Sequence, residues 1–256
     1  MAHMTTASKT HLVLIPAFNP GPLLFDTVRA ARQHWNPVWV VVDGSTDGTT
    51  AELLRMQARD PGLVVILRPV NGGKGAAVLT GIEQAGSRGF THVLTMDADG
   101  QHPAEGIGVF MAASLNQPQA LILGEPVFDA SAPALRVGGR RISNFWANIE
   151  TLWAGVHDSL FGFRVYPLIP LLAVMRSSRW MRRFDFDVEA AVRLVWRGVP
   201  PLNISTRVRY LRPDQGGVSH FRYVRDNALL TFMHLRLFAG FLVRLPWLLA
   251  RRWSKS

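Results

Sequence analysis

The sharpest chemical feature of the sequence is Asp97-Ala98-Asp99, two carboxylates two positions apart after the apolar run Val93-Leu94-Thr95-Met96. In an extended strand, residues i and i+2 point to the same side, so both carboxylates would approach one hard cation. Such oxygen ligands suit Mg2+ or Mn2+, with diphosphate and water completing the shell. Gln101 and His102 follow closely enough to add a ligand or a supporting contact. The same residues also read as an acidic turn that caps the next helix. A second cluster, Asp43-Gly44-Ser45-Thr46-Asp47-Gly48, has the alternate spacing of a calcium loop. The twelfth position of such a loop should be a bidentate glutamate, and here it is Leu54, with no helix preceding the loop. Calcium is excluded. A strand-end aspartate here would accept from a base or ribose, and Thr46 or Asp47 would cap the following helix. The third cluster, Asn71-Gly72-Gly73-Lys74-Gly75, resembles a phosphate cradle but lacks the Gly-x4-Gly-Lys-Ser/Thr spacing. Its plain reading is a glycine-rich turn with a solvated lysine.

The elements that must position these clusters are short and alternate in type. Apolar runs at 12–15, 38–42, 63–67, 92–96 and 120–123 are separated by helix-like segments at about 23–33, 49–59, 75–87 and 104–115. Val/Ile/Leu strands separated by helices of this length predict a parallel sheet covered on both faces. In such sheets ligands bind beyond the carboxyl ends of the strands, where all the polar clusters fall. Beyond residue 125 the alternation weakens. The pattern there predicts a loop to about 137, a helix near 138–155, a short strand at 163–166, helices at 168–176 and 187–197, a strand near 202–210 and a polar loop to His220. A basic, apolar helix closes the chain. No internal repeat or low-complexity linker is visible, which predicts one globular unit with a C-terminal appendage.

Composition narrows the class. The 256 residues are 48% hydrophobic and 18% charged, the reverse of a disordered chain. There is no cysteine, so disulfide scaffolds, thiolate zinc sites and cysteine nucleophiles are excluded. The net charge of +10 is uneven: residues 1–128 hold 8 Lys and Arg against 10 Asp and Glu, whereas residues 129–256 hold 20 against 8. Only Lys9, Lys74 and Lys255 are lysines, and arginine's planar fork suits phosphate. A basic half attracts nucleic acid or anionic lipid. No nucleic-acid reading motif or base-stacking aromatic pattern accompanies it, which favours no nucleic-acid partner. No secretory signal is visible, and residues 1–10 read as a tag remnant and disordered N-terminus. The stretch 228–250 is interrupted by His234, Arg236, Arg244 and Pro246, so it reads as a poor membrane-spanning segment. Its Phe, Leu and Trp residues among arginines suit a helix lying in the plane of an anionic membrane surface. The alternative is a terminal helix packed on the domain or on a second copy in a homodimer.

Together the clusters resemble one family. Pro16-Ala17-Phe18-Asn19, Val41-Val42-Asp43-Gly44-Ser45-Thr46-Asp47-Gly48-Thr49, Asn71-Gly72-Gly73-Lys74-Gly75 and Met96-Asp97-Ala98-Asp99-Gly100-Gln101-His102-Pro103 follow the order and spacing of family-2 glycosyltransferases of the GT-A fold. Within it they look most like the dolichyl- or polyprenyl-phosphate mannosyl- and glucosyltransferases. The resemblance covers about residues 11–210. It implies an α/β, mostly parallel GT-A domain over 11–221, followed by a membrane-associated amphipathic helix over 222–256. It implies nucleotide-sugar binding by Ala17, Asn19 and Asp43, joined by Pro16, Ser45, Gly73, Lys74, Asp97 and Ala98 at the matching motif positions. It also implies a metal, Mg2+ or Mn2+, held by Asp97, Asp99 and Gln101, and inversion at the anomeric carbon.

Looser matches follow. Asp158-Ser159-Leu160-Phe161-Gly162-Phe163-Arg164 looks like the family's Asp-x-x-x-Gly-Phe-Arg segment beside the acceptor. Phe184-Asp185-Phe186-Asp187-Val188-Glu189 resembles its acidic helix start, making Asp187, Asp185 and Asp158 the catalytic-base candidates. Asp185 and Asp187 equally suit the positive end of a helix dipole. Arg140 and Ser143, with Arg164 and His220, are the candidate acceptor or phosphate contacts. His220 ends a loop that would close over the donor phosphates; its plain reading is a cap on the next helix. Two positions depart from the family's pattern: Val42-Asp43 keeps only the second of two paired aspartates, and Gly124-Glu125-Pro126 stands where phosphate-acceptor enzymes usually offer Gly-Ser-Arg. The resulting expectation is a cytoplasmic, membrane-surface glycosyltransferase moving a sugar from a nucleotide-sugar to a lipid phosphate. A phosphate monoester is already largely ionised near neutral pH, whereas the rival acceptor, a lipid, polyene or glycan hydroxyl, needs a base. A membrane- or nucleic-acid-binding protein that merely kept the fold is the non-enzyme alternative.

Overall fold

The computed structural model describes residues 6–127, 134–208 and 223–253. Seven strands form one sheet: β1 (His11–Ala17), β2 (Val38–Asp43), β3 (Leu63–Arg68), β4 (His92–Thr95), β5 (Leu121–Val127), β6 (Arg164–Pro167) and β7 (Pro201–Arg207). Their order is β3-β2-β1-β4-β6-β5-β7. The β1–β2, β2–β3, β1–β4 and β5–β7 pairs are parallel, whereas β6 runs antiparallel to both β4 and β5. The chain moves outward from β1 to β3, then returns to β1's other side as β4. That reversal places a crevice at the carboxyl ends of β1 and β4.

Strand side chains alternate between two apolar layers, as a period of two requires. Leu12 and Leu14 of β1, with Trp39 and Val41 of β2, pack toward α3 (Lys74–Ser87), α6 (Leu168–Arg176) and α7 (Phe186–Trp196). Val13, Ile15 and Ala17, with Val38, Val40 and Val42, pack toward α1 (Leu23–His34), α2 (Thr49–Arg59) and α4 (Ile107–Asn116). A parallel sheet buried on both faces explains why β1 and β2 read as unbroken apolar runs.

The second half departs from the expected boundaries. Helix α5 spans Ala134–Glu150, beginning and ending earlier than the pattern predicted. Leu152 and Trp153 beyond its end have positive φ (53° and 52°), which stops helical propagation, and Trp196 Nε1 donates to the Glu150 carbonyl at 2.7 Å. Helix α8 runs unbroken over Tyr223–Trp253 despite Pro246. Its Met233, Leu237, Phe241 and Leu248 join Ala147 of α5 and Val188, Val192 and Trp196 of α7 in a third apolar cluster.

The interruptions in that C-terminal segment look different in three dimensions. His234 bonds Glu150 and Ser143, and Arg236 pairs with Glu189 at 2.9 Å. Both therefore face the domain. The outward face carries Leu235, Leu242, Val243, Trp247 and Trp253, all exposed. By length and composition this helix is able to cross a membrane, with a mean hydropathy of 1.5 over an 18-residue window. The expectation of a poor spanning segment is corrected to that extent, because the average over 18 residues tolerates the interruptions that an uninterrupted apolar run does not.

Candidate active site

Three loops at the carboxyl ends of β1, β2 and β4 meet at the crevice. The first two are bolted together: the Asn19 amide donates to Ser45 Oγ at 3.0 Å, and the Thr46 amide donates to Asn19 Oδ1 at 2.7 Å. Asp47 accepts from the amides of Gly21 and Thr49 and from the Thr49 hydroxyl. These bonds hold its carboxyl below the usual range against the opposing pull of burial, the largest single effect. Asp47 thus receives the first amide of the helix beginning at Thr49, while the N-cap position itself is Gly48. Pro16 and Ala17, ending β1, are buried beneath the rim, and Ala98 is half-buried beside it.

Asp43 lies under the rim, 2% exposed. Its carboxylate accepts from the Gly72 and Gly73 amides at 3.1 and 2.7 Å and pairs with Arg68 Nε at 2.8 Å. Arg68, at the end of β3, carried no signal in the sequence. The glycine cluster is therefore not an open phosphate cradle: its amides point at Asp43. Its glycines permit close backbone approach instead, since a Cβ on Gly75 would lie 2.0 Å from the Met181 carbonyl oxygen.

Lys74, first residue of α3, is the hub. Its Nζ lies 2.7 Å from Asp97 Oδ1 and 2.8 Å from Asp187 Oδ2. It is not the solvated charge of the plain reading. Burial opposes its charge most strongly, yet the two carboxylates win and hold its pKa above the ordinary lysine value. Gly162 makes room for this contact; a Cβ there would stand 2.5 Å from Nζ and 3.1 Å from Asp97 Oδ2.

Strand β4 stops at Thr95, so Asp97 and Asp99 sit in a turn and not on an extended strand. The Asp97 amide donates to His102 Nδ1 at 2.9 Å, and the Gln101 amide donates to Asp99 Oδ1 at 3.0 Å. With Nδ1 accepting, the neutral ring carries its proton on Nε2, 3.6 Å from Asp97 Oδ2. Burial pushes His102 down. Burial pushes Asp97 up, but Lys74 overrides it and the carboxyl stays below the usual range. Asp99 lacks that compensation, and burial together with the Asp97 charge raises it. Among the described residues no three His, Cys, Asp or Glu side chains converge as a metal cage. Two hard carboxylates with an uncompensated negative charge fit a cation that keeps water and phosphate in its shell.

Asp97, Asp99, Gln101 and His102 line a cavity of about 110 Å³ together with Arg140, Leu160, Phe161, Gly162 and Val208. Leu160, Phe161, Gly162 and Val208 carry no titratable group and so give no chemical signal in the sequence, although the first three lie inside the Asp158–Arg164 segment.

The remaining candidates are held in different surroundings. Asp158 is buried, and its Oδ1 takes Arg140 Nη1 at 2.6 Å and the amides of Leu160 and Phe161 at 2.9 and 2.7 Å. Such a carboxylate anchors the cavity wall and is poorly placed as a base. Asp185 accepts from the Met181 and Arg183 amides at 3.1 and 3.0 Å and secures that turn. Arg164 is fully buried and donates to the carbonyls of Phe161, Asp158 and Asp187, so its guanidinium rivets the fold. Ser143 is buried against His234 and not in the cavity lining. Of the catalytic trio, only Asp187 joins the acidic cluster, through Lys74. His220 lies outside the described residues.

Comparisons bear on this geometry. The family description "Glycosyl transferase family 2" matches residues 12–169. The chain belongs to this family. It is 29% identical over 196 residues to the polyprenol monophosphomannose synthase of Mycolicibacterium smegmatis, covering 73% of this chain and 71% of that protein. It is 27% identical over 197 residues to the undecaprenyl-phosphate mannosyltransferase of Micrococcus luteus, covering 71% and 76%. Among solved structures, glucosyl-3-phosphoglycerate synthase from Mycobacterium tuberculosis, in complex with Mn2+, UDP and its product, superposes with a TM-score of 0.64 at 17% identity, covering 91% of this chain and 80% of that one. The protein is a glycosyltransferase with the GT-A fold.

The hub yields a testable consequence for this glycosyltransferase. Lys74→Met leaves Asp97 and Asp187 without their counter-ion, and should cost about 2–4 kcal/mol at neutral pH, less than a fully buried pair because Asp97 is partly solvated. The stabilisation that Lys74 gives to the depressed Asp97 carboxyl is present above its unfolded pKa and lost as pH falls through the folded one. Denaturant titrations should therefore show the gap from wild type narrowing below about pH 4; a gap constant from pH 7 to 3.5 would contradict the pairing.

Proposed function

We propose that this glycosyltransferase moves a sugar from a nucleotide-sugar to a polyprenyl phosphate at a membrane surface, with inversion and with Mg2+ or Mn2+. The observation that carries the acceptor assignment is that Arg140 lines the same cavity as Asp97 and Asp99. The acidic, cation-compatible residues suit the donor diphosphate, and a guanidinium lining the same cavity suits a second, phosphate-bearing substrate. The names of the two bacterial relatives point to the same acceptor class.

In this reading the donor lies along the rim of β1, β2 and β4. Asn19 and Ser45 hold the two nucleotide loops in register, Pro16, Ala17 and Ala98 shape the floor, and Asp43 with Gly73 braces the turn that presents Lys74. Asp97 and Asp99, with Gln101 beside them, would hold the divalent cation, which when bound supplies positive charge to the departing diphosphate. Lys74 fixes the Asp97 carboxylate and keeps Asp187 in the same charged cluster. Arg140 orients the acceptor phosphate, whose oxygen attacks the anomeric carbon from the face opposite the diphosphate and thereby inverts it. Asp187 is 4% exposed and ion-paired with Lys74, so an acceptor that arrives ionised fits this cleft better than a hydroxyl that needs a free base.

Helix α8 would lie in the membrane plane at the cytoplasmic face. One side of it is packed on α5 and α7, while Ile142 and Phe145 of α5 extend its outward apolar face. Arg244 and Arg251, lying over Trp196 and Trp247, reach headgroup phosphates from the same belt.

Three measurements test these assignments. Asp99→Asn should weaken UDP or GDP binding in Mn2+ far more than in EDTA by calorimetry, and equal losses in both would return the acidic turn to a structural role. With undecaprenyl phosphate as acceptor, Arg140→Ala should abolish most transfer while Asp187→Asn retains much of it; the reverse ranking favours a hydroxyl acceptor. Replacing Leu235, Val243 and Trp247 together by serine should reduce sedimentation with phosphatidylglycerol vesicles and leave the melting temperature near wild type, since all three are exposed. Undiminished vesicle binding would remove the membrane assignment.

A further inference from the structure

Helix α8 is joined to the cavity wall by an unbroken line of hydrogen bonds. Glu150 Oε1 lies 2.9 Å from His234 Nδ1, and His234 Nε2 lies 2.9 Å from Ser143 Oγ. Ser143 Oγ lies 3.4 Å from Ser159 Oγ, whose hydroxyl donates to Asn144 Oδ1 at 2.8 Å. Asn144 Nδ2 donates to Asp158 Oδ2 at 3.4 Å, and Asp158 Oδ1 receives Arg140 and the Leu160 and Phe161 amides. Arg140, Leu160 and Phe161 all line the cavity.

The donor order along this line is determined by its far end. Ser159 gives its proton to Asn144, so it accepts from Ser143, and Ser143 in turn accepts from His234 Nε2–H. One proton between Glu150 and Nδ1 then completes the chain, whichever of the two holds it. Every member donates toward Asp158, which as a carboxylate only accepts. Ser143, Ser159, Glu150 and Asp158 are each at most 5% exposed, so water does not readily replace a missing partner and each loss leaves a buried group unsatisfied.

We propose that His234 is a positioning residue: docked on α5, it sets the Asp158 carboxylate through Ser143, Ser159 and Asn144, and thereby places Arg140 and the Leu160–Phe161 wall for the acceptor. Helix α8 thus acts on the acceptor site through its inward face and α5, although none of its residues lines the cavity. This inference rests on the polyprenyl-phosphate reading for its kinetic signature but not for its physical one.

The test compares wild type, Ser143→Ala and His234→Gln, with Thr231→Ala on the exposed side of α8 as control. Ser143→Ala only removes an oxygen, so it keeps the comparison valid should the histidine variant fold poorly. With undecaprenyl phosphate, KM for the acceptor should rise about five- to tenfold, the effect of one lost buried hydrogen bond, while the nucleotide-sugar KM stays within about twofold. In parallel, hydrogen exchange at the Leu160 and Phe161 amides should accelerate by a similar factor, with exchange in β1 and β2 unchanged. If wild type transfers sugar to undecaprenyl phosphate, an unchanged acceptor KM, or donor and acceptor KM rising together, overturns the inference. If wild type transfers nothing to that acceptor, the acceptor reading falls on its own, and exchange decides: faster exchange confined to 160–161 upholds the coupling, and unchanged exchange ends it.

Discussion

The cleft is organised by one buried cation shared between two carboxylates. Lys74 begins α3, Asp97 follows β4 and Asp187 begins α7, so a single ammonium fastens three elements that are far apart in the chain. Removing the ammonium leaves two carboxylates uncompensated in a region of low dielectric, whereas neutralising either carboxylate leaves one ion pair, so the lysine is the strong constraint on geometry. The surrounding features follow from it. Gly162 has no side chain because Nζ stands where a Cβ would crowd it, and Gly75 lets the helix start press against the Met181 carbonyl. Asp43 and Arg68 hold the turn from which Lys74 emerges.

Lys74 also explains the asymmetry of the acidic pair. It compensates Asp97 and leaves Asp99 with unfavourable burial and a charged neighbour. A site prepared in this way gains from a divalent cation, and the cation gains a partly desolvated carboxylate without a complete protein cage. A cation held by two such carboxylates would take its remaining ligands from substrate and water.

The rest of the cavity lining obeys a different logic. Asp158 collects Arg140 and two backbone amides, and is itself reached from α8 through hydroxyl and amide side chains. Oδ1 of that carboxylate is held by three donors, and the helix packs one side on α5 and α7. The departure at Gly124-Glu125-Pro126 also has a local account: Glu125 Oε2 meets His157 Nδ1 at 3.0 Å, on the β5–β7 side of the fold.

The sequence by itself determined the parallel half of the sheet, the helices between its strands, the family, and the strand-end position of the Asp97–Asp99 pair. Those features are local: apolar runs of strand length, helix-length spacers, and motifs whose residues are neighbours along the chain. Only the tertiary structure decided which polar residues face the cleft. Asp158, Asp185 and Asp187 are alike in sequence, yet backbone amides claim the first two and Lys74 claims the third. Arg164 and Arg140 differ likewise, one sealed among carbonyls and the other open to the cavity. His234 and Arg236 looked like flaws in an apolar segment until the helix turned them onto Glu150 and Glu189. A buried charge must find its partner in space, and partners 23 to 113 residues away in the chain leave no periodicity by which the sequence reveals them.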